Sequence, residues 1–274
     1  MSLFDAYSYK GKRALVVGGA TGMGAAVAEL VLDAGAEVVV MDRAEITLSG
    51  VKAVSLNLAD KGSIDGAVAE CGGPIDALFS CAGVADGTPG IEKINFLGHR
   101  HMIERLLAAD LLPRGSAIGM ISSAAGLGWE GSLTELHEYL DIADYDQAAA
   151  WAQERNKADY MWSKKAINAY VGREAFGLLK KGIRINAILP GPTDTPLAQA
   201  NKDMWLGFGS DYRAETGIEA STPLEQAYPL VFLCSDGAAG ITGITMITDA
   251  GYYAAGVTGS FPPAKEVIGF LRSV

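Results

Sequence analysis

Cysteine is scarce: Cys71, Cys81 and Cys234 are the only three in 274 residues, odd in number and far apart. That excludes a disulfide scaffold or a CxxC metal site, and it suits a reducing cytoplasm. Histidine is equally rare. His99 and His101 sit two apart in one helical segment and so point to different faces, and His137 stands alone. No metal-ligand spacing results, and no metal is expected. Basic residues are outnumbered 22 to 32, giving a formal net charge of −10 and a pI near 4.8. Nucleic acid needs basic patches, so it is not an expected partner. No uncharged stretch exceeds 15 residues, short of the roughly 20 a membrane helix requires. The opening MSLFDAYSYKGKR carries Asp5 and no apolar run before its basic residues, unlike a secretory signal. Linkers rich in Pro or Ser and internal repeats are also missing.

What the chain has is apolar mass and glycine. Hydrophobic residues make up 49% and glycines number 34. A chain this long buries about three-quarters of its unfolded surface without a staple. Continuous apolar, β-branched runs at 14–19, 37–42, 51–58, 76–83, 116–123, 183–191 and 244–248 read as buried strands of a parallel sheet. Helical patterns at 22–34, 62–71, 91–112, 155–181 and 223–235 alternate with them. The expectation is one doubly wound α/β domain over residues 1–274, with a parallel sheet of about seven strands.

Two regions break the alternation. Only eight residues separate Asp42 from the strand at Val51, so a crossover helix there is missing or a single turn. Residues 127–155, between the fifth strand and the next helix, form an acidic insertion with seven carboxylates against Arg155. Leu133, Leu136 and Leu140 lie at helical spacing inside it. It reads as a solvated helical flap with one packed face, or as a lid or interface element beside a site.

The first strand runs into Gly18-Gly19-Ala20-Thr21-Gly22-Met23-Gly24 and then a helix. A turn from strand to helix aims free N–H groups and the positive end of a helix dipole at one spot. A pyrophosphate fits there only where no Cβ intrudes, hence Gly18, Gly22 and Gly24. Asp42 ends the second strand, 18 residues after Gly24, where a carboxylate can accept from ribose hydroxyls. Its charge would repel a 2′-phosphate, and the glycine loop holds no Lys or Arg. Both features favour NAD over NADP, while Arg43 weakens the preference because a guanidinium pairs with phosphate.

Tyr160 and Lys164 lie four apart in a helical segment and so share a face. An ammonium beside a phenol favours phenolate, which would lower the Tyr160 pKa from ~10 and make it a general acid/base for an alcohol–ketone pair. Ser123 closes the fifth strand, at the carboxyl end where such folds build sites. Its hydroxyl could hold a substrate oxygen, with Ser122 as the alternative. Asn95 is a candidate for ordering a water near Lys164, or a structural amide.

In chain order, VVGGATGMG, MDR, NLAD, SCAG, INFLG, ISSAAG, YMWSK, NAILPGPTDTP and SDGAAGITGITMITDAGY resemble the short-chain dehydrogenase/reductase family over nearly the full length. The resemblance implies a Rossmann-like fold and a catalytic set of Asn95, Ser123, Tyr160 and Lys164. It implies a cofactor set of Gly18, Met23, Asp42, Asn57, Leu58, Ala82, Gly83, Lys164, Pro190, Gly191, Pro192 and Thr193. Thr21, Gly22, Gly24, Arg43, Cys81, Tyr160 and Thr195 belong to the same expected surface. Departures are Val17 for the usual Thr, Ser80-Cys81-Ala82-Gly83 for Asn-Asn-Ala-Gly, and Asn57 for an acid. The insertion and the shortened second crossover are similar to the bacterial 3α-hydroxysteroid dehydrogenase/carbonyl reductase and coniferyl-alcohol dehydrogenase group.

The implied function is NAD-dependent hydride transfer between nicotinamide and a secondary alcohol or ketone. Trp205, Phe208 and Tyr212 in a substrate loop at 194–222, with Trp129 and Tyr139 in the insertion, suggest an aromatic-walled pocket for a steroid, terpenoid or aryl alcohol. The alternative is that these rings pack the structure. A C-terminal extension, 252–274, is expected to cover the site or reach a neighbouring subunit of a homodimer or homotetramer. The rival reading is an NAD-binding sensor without turnover.

Overall fold

A computed structural model describes residues 2–273. Its elements run β1 (Arg13–Val17), α1 (Gly22–Asp33), β2 (Glu37–Asp42), β3 (Lys52–Ser55), α2 (Lys61–Cys71), β4 (Ala77–Ser80), α3 (Gly98–Ala108), β5 (Ala117–Ile121), α4 (Leu133–Asp141), α5 (Tyr145–Glu154), α6 (Tyr160–Lys180), β6 (Arg184–Pro190), α7 (Pro196–Ala200), α8 (Lys202–Trp205), α9 (Ser210–Thr216), α10 (Pro223–Cys234), β7 (Thr245–Thr248), α11 (Tyr252–Thr258) and α12 (Pro262–Ser273). The seven strands are all parallel, in the order β3-β2-β1-β4-β5-β6-β7. The order reverses between β1 and β4, the switch point at which such sheets leave a crevice at their carboxyl ends. No helix lies between β2 and β3.

Strand alternation divides the core into two layers. Leu15, Val17, Val39, Met41 and Leu78 face one side, with α2, α3 and α6; Val16, Val38, Val40 and Phe79 face the other, under α1 and α10. Side-chain caps fix where helices start. Asp60 accepts from Gly62 N–H at α2, Asp144 from Asp146 and Gln147 at α5, and Asp159 from Trp162 at α6. Thr222 and Glu225 form a reciprocal capping box at α10.

Three expectations need correction. The helical pattern at 155–181 begins only at Tyr160, because Arg155 ends α5, Asn156 takes a left-handed φ of 55° and Asp159 then caps a new helix. The pattern at 91–112 opens as a π-helical turn over Lys93–Leu97 before becoming α3. Residues 194–222 are not a plain loop but carry α7, α8 and α9.

The insertion folds into α4 and α5, whose inner faces bury Leu136, Tyr139, Leu140, Tyr145, Ala148, Ala149 and Ala152 against α6 and the α3 side of the core. It is tied down by the Tyr145 hydroxyl, which donates to Leu58 O at 2.7 Å, and by Arg100, which donates to Ile142 O at 2.6 Å. The acidic residues lie mainly on its outer surface, some in ion pairs such as Arg173–Asp141 and Lys157–Glu135. The C-terminal extension forms a hairpin of α11 and α12, which builds a third, smaller core with Ala124, Leu127 and Leu189. Among the described residues no helix is long and apolar enough to cross a membrane.

Candidate active site

At the carboxyl ends of the strands lies a cleft in two connected parts. One part, of about 240 Å³, is lined by the glycine loop, Asp42, Arg43, Asn57, Leu58 and the turn Cys81-Ala82-Gly83. The other, of about 330 Å³, is lined by Ser123, Tyr160, Lys164, Pro190, Gly191 and Thr193. Met23, Cys81, Gly83, Thr195 and Leu197 line both, so the two parts are continuous.

The glycine-lined half is shaped by close backbone approach. Gly18 has φ +83°, and a Cβ there would strike the Ala82 backbone; a Cβ on Gly24 would strike the Gly18 carbonyl. Thr21 makes no side-chain cap on α1, so the first N–H groups of the helix are left for a ligand. Asp42 ties this half together. One carboxylate oxygen accepts from Ala20 N–H at 2.9 Å and the other from Ala44 N–H at 2.9 Å, which still leaves lone pairs for a hydroxyl donor. Asn57 accepts from Ala59 N–H at 3.1 Å. Among the described residues no cluster of His, Cys, Asp and Glu could hold a metal ion.

In the other half, Ser123 and Tyr160 line the same cavity, the Ser123 hydroxyl acts to lower the Tyr160 pKa, and Ser123 Oγ accepts from Ala125 N–H at 3.2 Å. Ser122 borders the same half, and its buried hydroxyl donates to Lys164 O at 3.1 Å. The Tyr160 amide donates to Asp86 Oδ1 at 2.7 Å. Lys164 is buried, and its Nζ donates to Ile121 O at 3.1 Å and sits 5.3 Å from the centroid of the Tyr160 ring.

The expected depression of the Tyr160 pKa is not present in this state. Burial pushes the phenol up to about 12, the Ser123 hydrogen bond opposes that, and the Asp86 charge adds to it. The Lys164 ammonium stands 5.3 Å from the ring centroid, and burial pulls it down to about 8.

Asn95 lines neither part of the cleft. Fully buried, it accepts from Val84 N–H at 2.8 Å and donates to Val84 O at 3.0 Å and to Ser163 Oγ at 3.3 Å. Both of its amide hydrogens are thus given to protein groups. It still belongs to the site's frame, since its Oδ1 and Lys164 Nζ flank Gly83. One turn further along, buried His99 places Nε2 3.0 Å from Ala82 O. Burial holds its imidazole down to about 4 and hence neutral. Asn95 from the π-helical turn, a distortion common at functional sites, and His99 from the first turn of α3 together clamp residues 82–84.

Sequence reasoning missed His99, because a histidine without a metal partner carries no motif. It also missed Asp86, Met161, Met204 and Leu271 in the cleft wall. Only Asp86 had a signal: an acid in a loop beyond the carboxyl end of a strand. Of the aromatics proposed for the pocket, Trp205 and Phe208 line it, and Tyr212 lines a smaller adjoining cavity. Trp129 and Tyr139 do not. Tyr139 is buried against Phe96, Trp151 and Trp162, and Trp129 packs on the same core.

A parallel seven-stranded sheet with a glycine-lined crevice at its switch point and a Ser–Tyr–Lys group beside it defines a dinucleotide-dependent oxidoreductase fold. The family model described as enoyl-(acyl carrier protein) reductase matches residues 18–253, and the chain belongs to the short-chain dehydrogenase/reductase family. Over 251 residues it is 28% identical to coniferyl-alcohol dehydrogenase of a Pseudomonas species, covering 88% of this chain and 96% of that one. It is 26% identical over 245 residues to 3-alpha-hydroxysteroid dehydrogenase/carbonyl reductase of Comamonas testosteroni, covering 86% and 95%. The solved 3-alpha-hydroxysteroid dehydrogenase of Pseudomonas sp. B-0831, complexed with NADH, superimposes with a TM-score of 0.74 at 26% identity, covering 91% of this chain and 99% of that one.

Proposed function

We propose that the protein is an NAD-dependent alcohol/carbonyl oxidoreductase for apolar secondary alcohols or ketones, of the size of a steroid, terpenoid or aryl alcohol. One observation carries the reading: Ser123, Tyr160 and Lys164 line one cavity that opens into the glycine-lined cleft. NAD is favoured by Asp42, whose carboxylate stands at the end of β2 where a 2′-phosphate would be repelled. A solved relative that holds NADH supports the choice. The uncapped start of α1, the Gly18, Gly22 and Gly24 backbone and the 82–84 turn fit a pyrophosphate and its flanking riboses. The nicotinamide, when bound, supplies the carbon that gives or takes hydride.

The chain's own groups do the rest. Ser123 Oγ and Tyr160 Oη hold the substrate oxygen, and Tyr160 exchanges its proton. Lys164 keeps two N–H donors beyond the one given to Ile121 O, enough to reach ribose hydroxyls and the phenol. Asp86, Asp159 and Ser163 fix the first turn of α6 and so the position of Tyr160: Ser163 Oγ donates to Tyr160 O at 2.7 Å. The apolar wall of Met161, Trp205, Phe208 and Leu271 supports an apolar substrate. The three cysteines are free, in keeping with a cytoplasmic enzyme.

The test is a screen for NAD⁺ reduction over steroid, terpene and aryl alcohols, run beside NADP⁺. Turnover faster with NAD⁺ is expected. Faster turnover with NADP⁺ would remove the Asp42 argument. NAD binding without turnover of any alcohol would leave the sensor reading in its place.

A further inference from the structure

Two charged side chains line the substrate half of the cleft among the described residues, Lys164 and Asp86. Lys164 is buried at the floor, engaged with Ile121 O and the Tyr160 ring. The nearest arginine of the neighbouring segment, Arg213, is turned inward. Its guanidinium donates to Phe208 O at 2.7 Å and to Leu206 O, and it faces only the small adjoining cavity. The amino end of α6 is the other feature that could hold an anion. It is already taken, because Asp159 accepts from Trp162 N–H and Asp86 from Tyr160 N–H. Asp86 is exposed, and among the described residues its second carboxylate oxygen makes no hydrogen bond.

From this layout we infer that the cleft rejects anionic substrates and that Asp86 is the residue that rejects them, so the substrate is an apolar alcohol whose remaining substituents are neutral or cationic. The inference rests on the oxidoreductase reading and narrows it. A substrate carboxylate would meet only one cation, Lys164, buried at the floor and bonded to Ile121 O, and would pass the like charge of Asp86 on the way in. A distal hydroxyl or ammonium would instead find a free acceptor in Asp86.

Para-substituted 1-phenylethanols test the rule, because the carboxylate and carboxamide have one shape and differing charge. The 4-carboxamide and the 4-aminomethyl compound should bind at least about tenfold more tightly than the 4-carboxylate, the effect of a like charge several ångströms away at an effective dielectric near 20. Affinity is read as competition against any alcohol the enzyme turns over and as thermal stabilisation of the NAD-loaded protein. The second readout needs no turnover, so a failure of the charge rule is separable from a failure of the oxidoreductase reading. Asp86→Asn keeps an acceptor for the Tyr160 amide and should collapse the carboxamide-to-carboxylate ratio toward one, as should raised salt in the wild type. Equal binding of carboxylate and carboxamide by the wild type, or a ratio unchanged in Asp86→Asn, overturns the proposal.

Discussion

Tyr139, Trp151 and Trp162 stack against one another with ring centroids 5.1 to 6.1 Å apart. Trp205 meets the Tyr160 ring at 4.9 Å and then borders the cavity. Both groups are large aromatics near the same helix, α6. The first joins the core, with Tyr139 and Trp162 buried and Trp151 half-buried; the second leaves a face open to a ligand. An aromatic closed in on all sides contributes stability, and one with a free face contributes recognition. The contrast separates the insertion, which supports the sheet, from α8 and the C-terminal hairpin, which shape the chamber.

The largest expected effect falls on the closed group. Tyr139→Ala should destabilise the protein by about 3–5 kcal/mol, read by denaturant unfolding, with the preference among alcohols unchanged. A small loss of stability would mean that the insertion is a loose flap after all. Next comes Tyr160→Phe, which keeps the ring against Trp205 and removes only the proton carrier. Turnover should fall at least 100-fold, about 2.7 kcal/mol of transition-state stabilisation, while NAD affinity hardly moves. Near-normal turnover would remove Tyr160 from the mechanism.

Lys164→Met should abolish turnover yet stabilise the fold by about 2 kcal/mol at pH 7, the burial penalty of the ammonium less one hydrogen bond. The sign follows from Lys164 lying near 8 when folded and 10.5 when unfolded. Between those values the unfolded chain binds more protons, so wild-type stability rises with pH and the variant's lead closes. Chemical denaturation of both proteins at pH 7 and pH 10.5 checks it, and a lead that widens with pH contradicts it. The smallest effect belongs to the open wall. Met204→Ala, at an exposed residue of that wall, should lower kcat/KM for a bulky apolar alcohol by roughly tenfold with little change in Tm. A large drop in Tm would place Met204 with the structural group.

The glycine-lined half of the cleft was legible in the sequence because backbone crowding leaves no choice of residue. Gly18 lies against Ala82 and Gly24 against the Gly18 carbonyl, so the pattern must be written as glycine at fixed spacing. Tyr160 and Lys164 were legible for a similar reason, since one helix carries both. The opposite wall was not. Met204 and Leu271 come from distant segments whose meeting with Asp86 depends on tertiary packing, and nothing local marks those two. The same limit explains the insertion. Leu136 and Leu140 at helical spacing announced a packed face, but not that Tyr139 would be spent on the core. The phenol's pKa was misjudged because spacing on a helix gives a shared face, whereas the shift depends on where the ammonium ends and how dry the site is.

The C-terminal hairpin has its own small core, apart from the two layers that clasp the sheet. The tail and the segment carrying α8 can therefore be rewritten by mutation with little disturbance to the scaffold that grips the dinucleotide. A lineage could in this way change what it oxidises while inheriting, untouched, how it holds its redox partner.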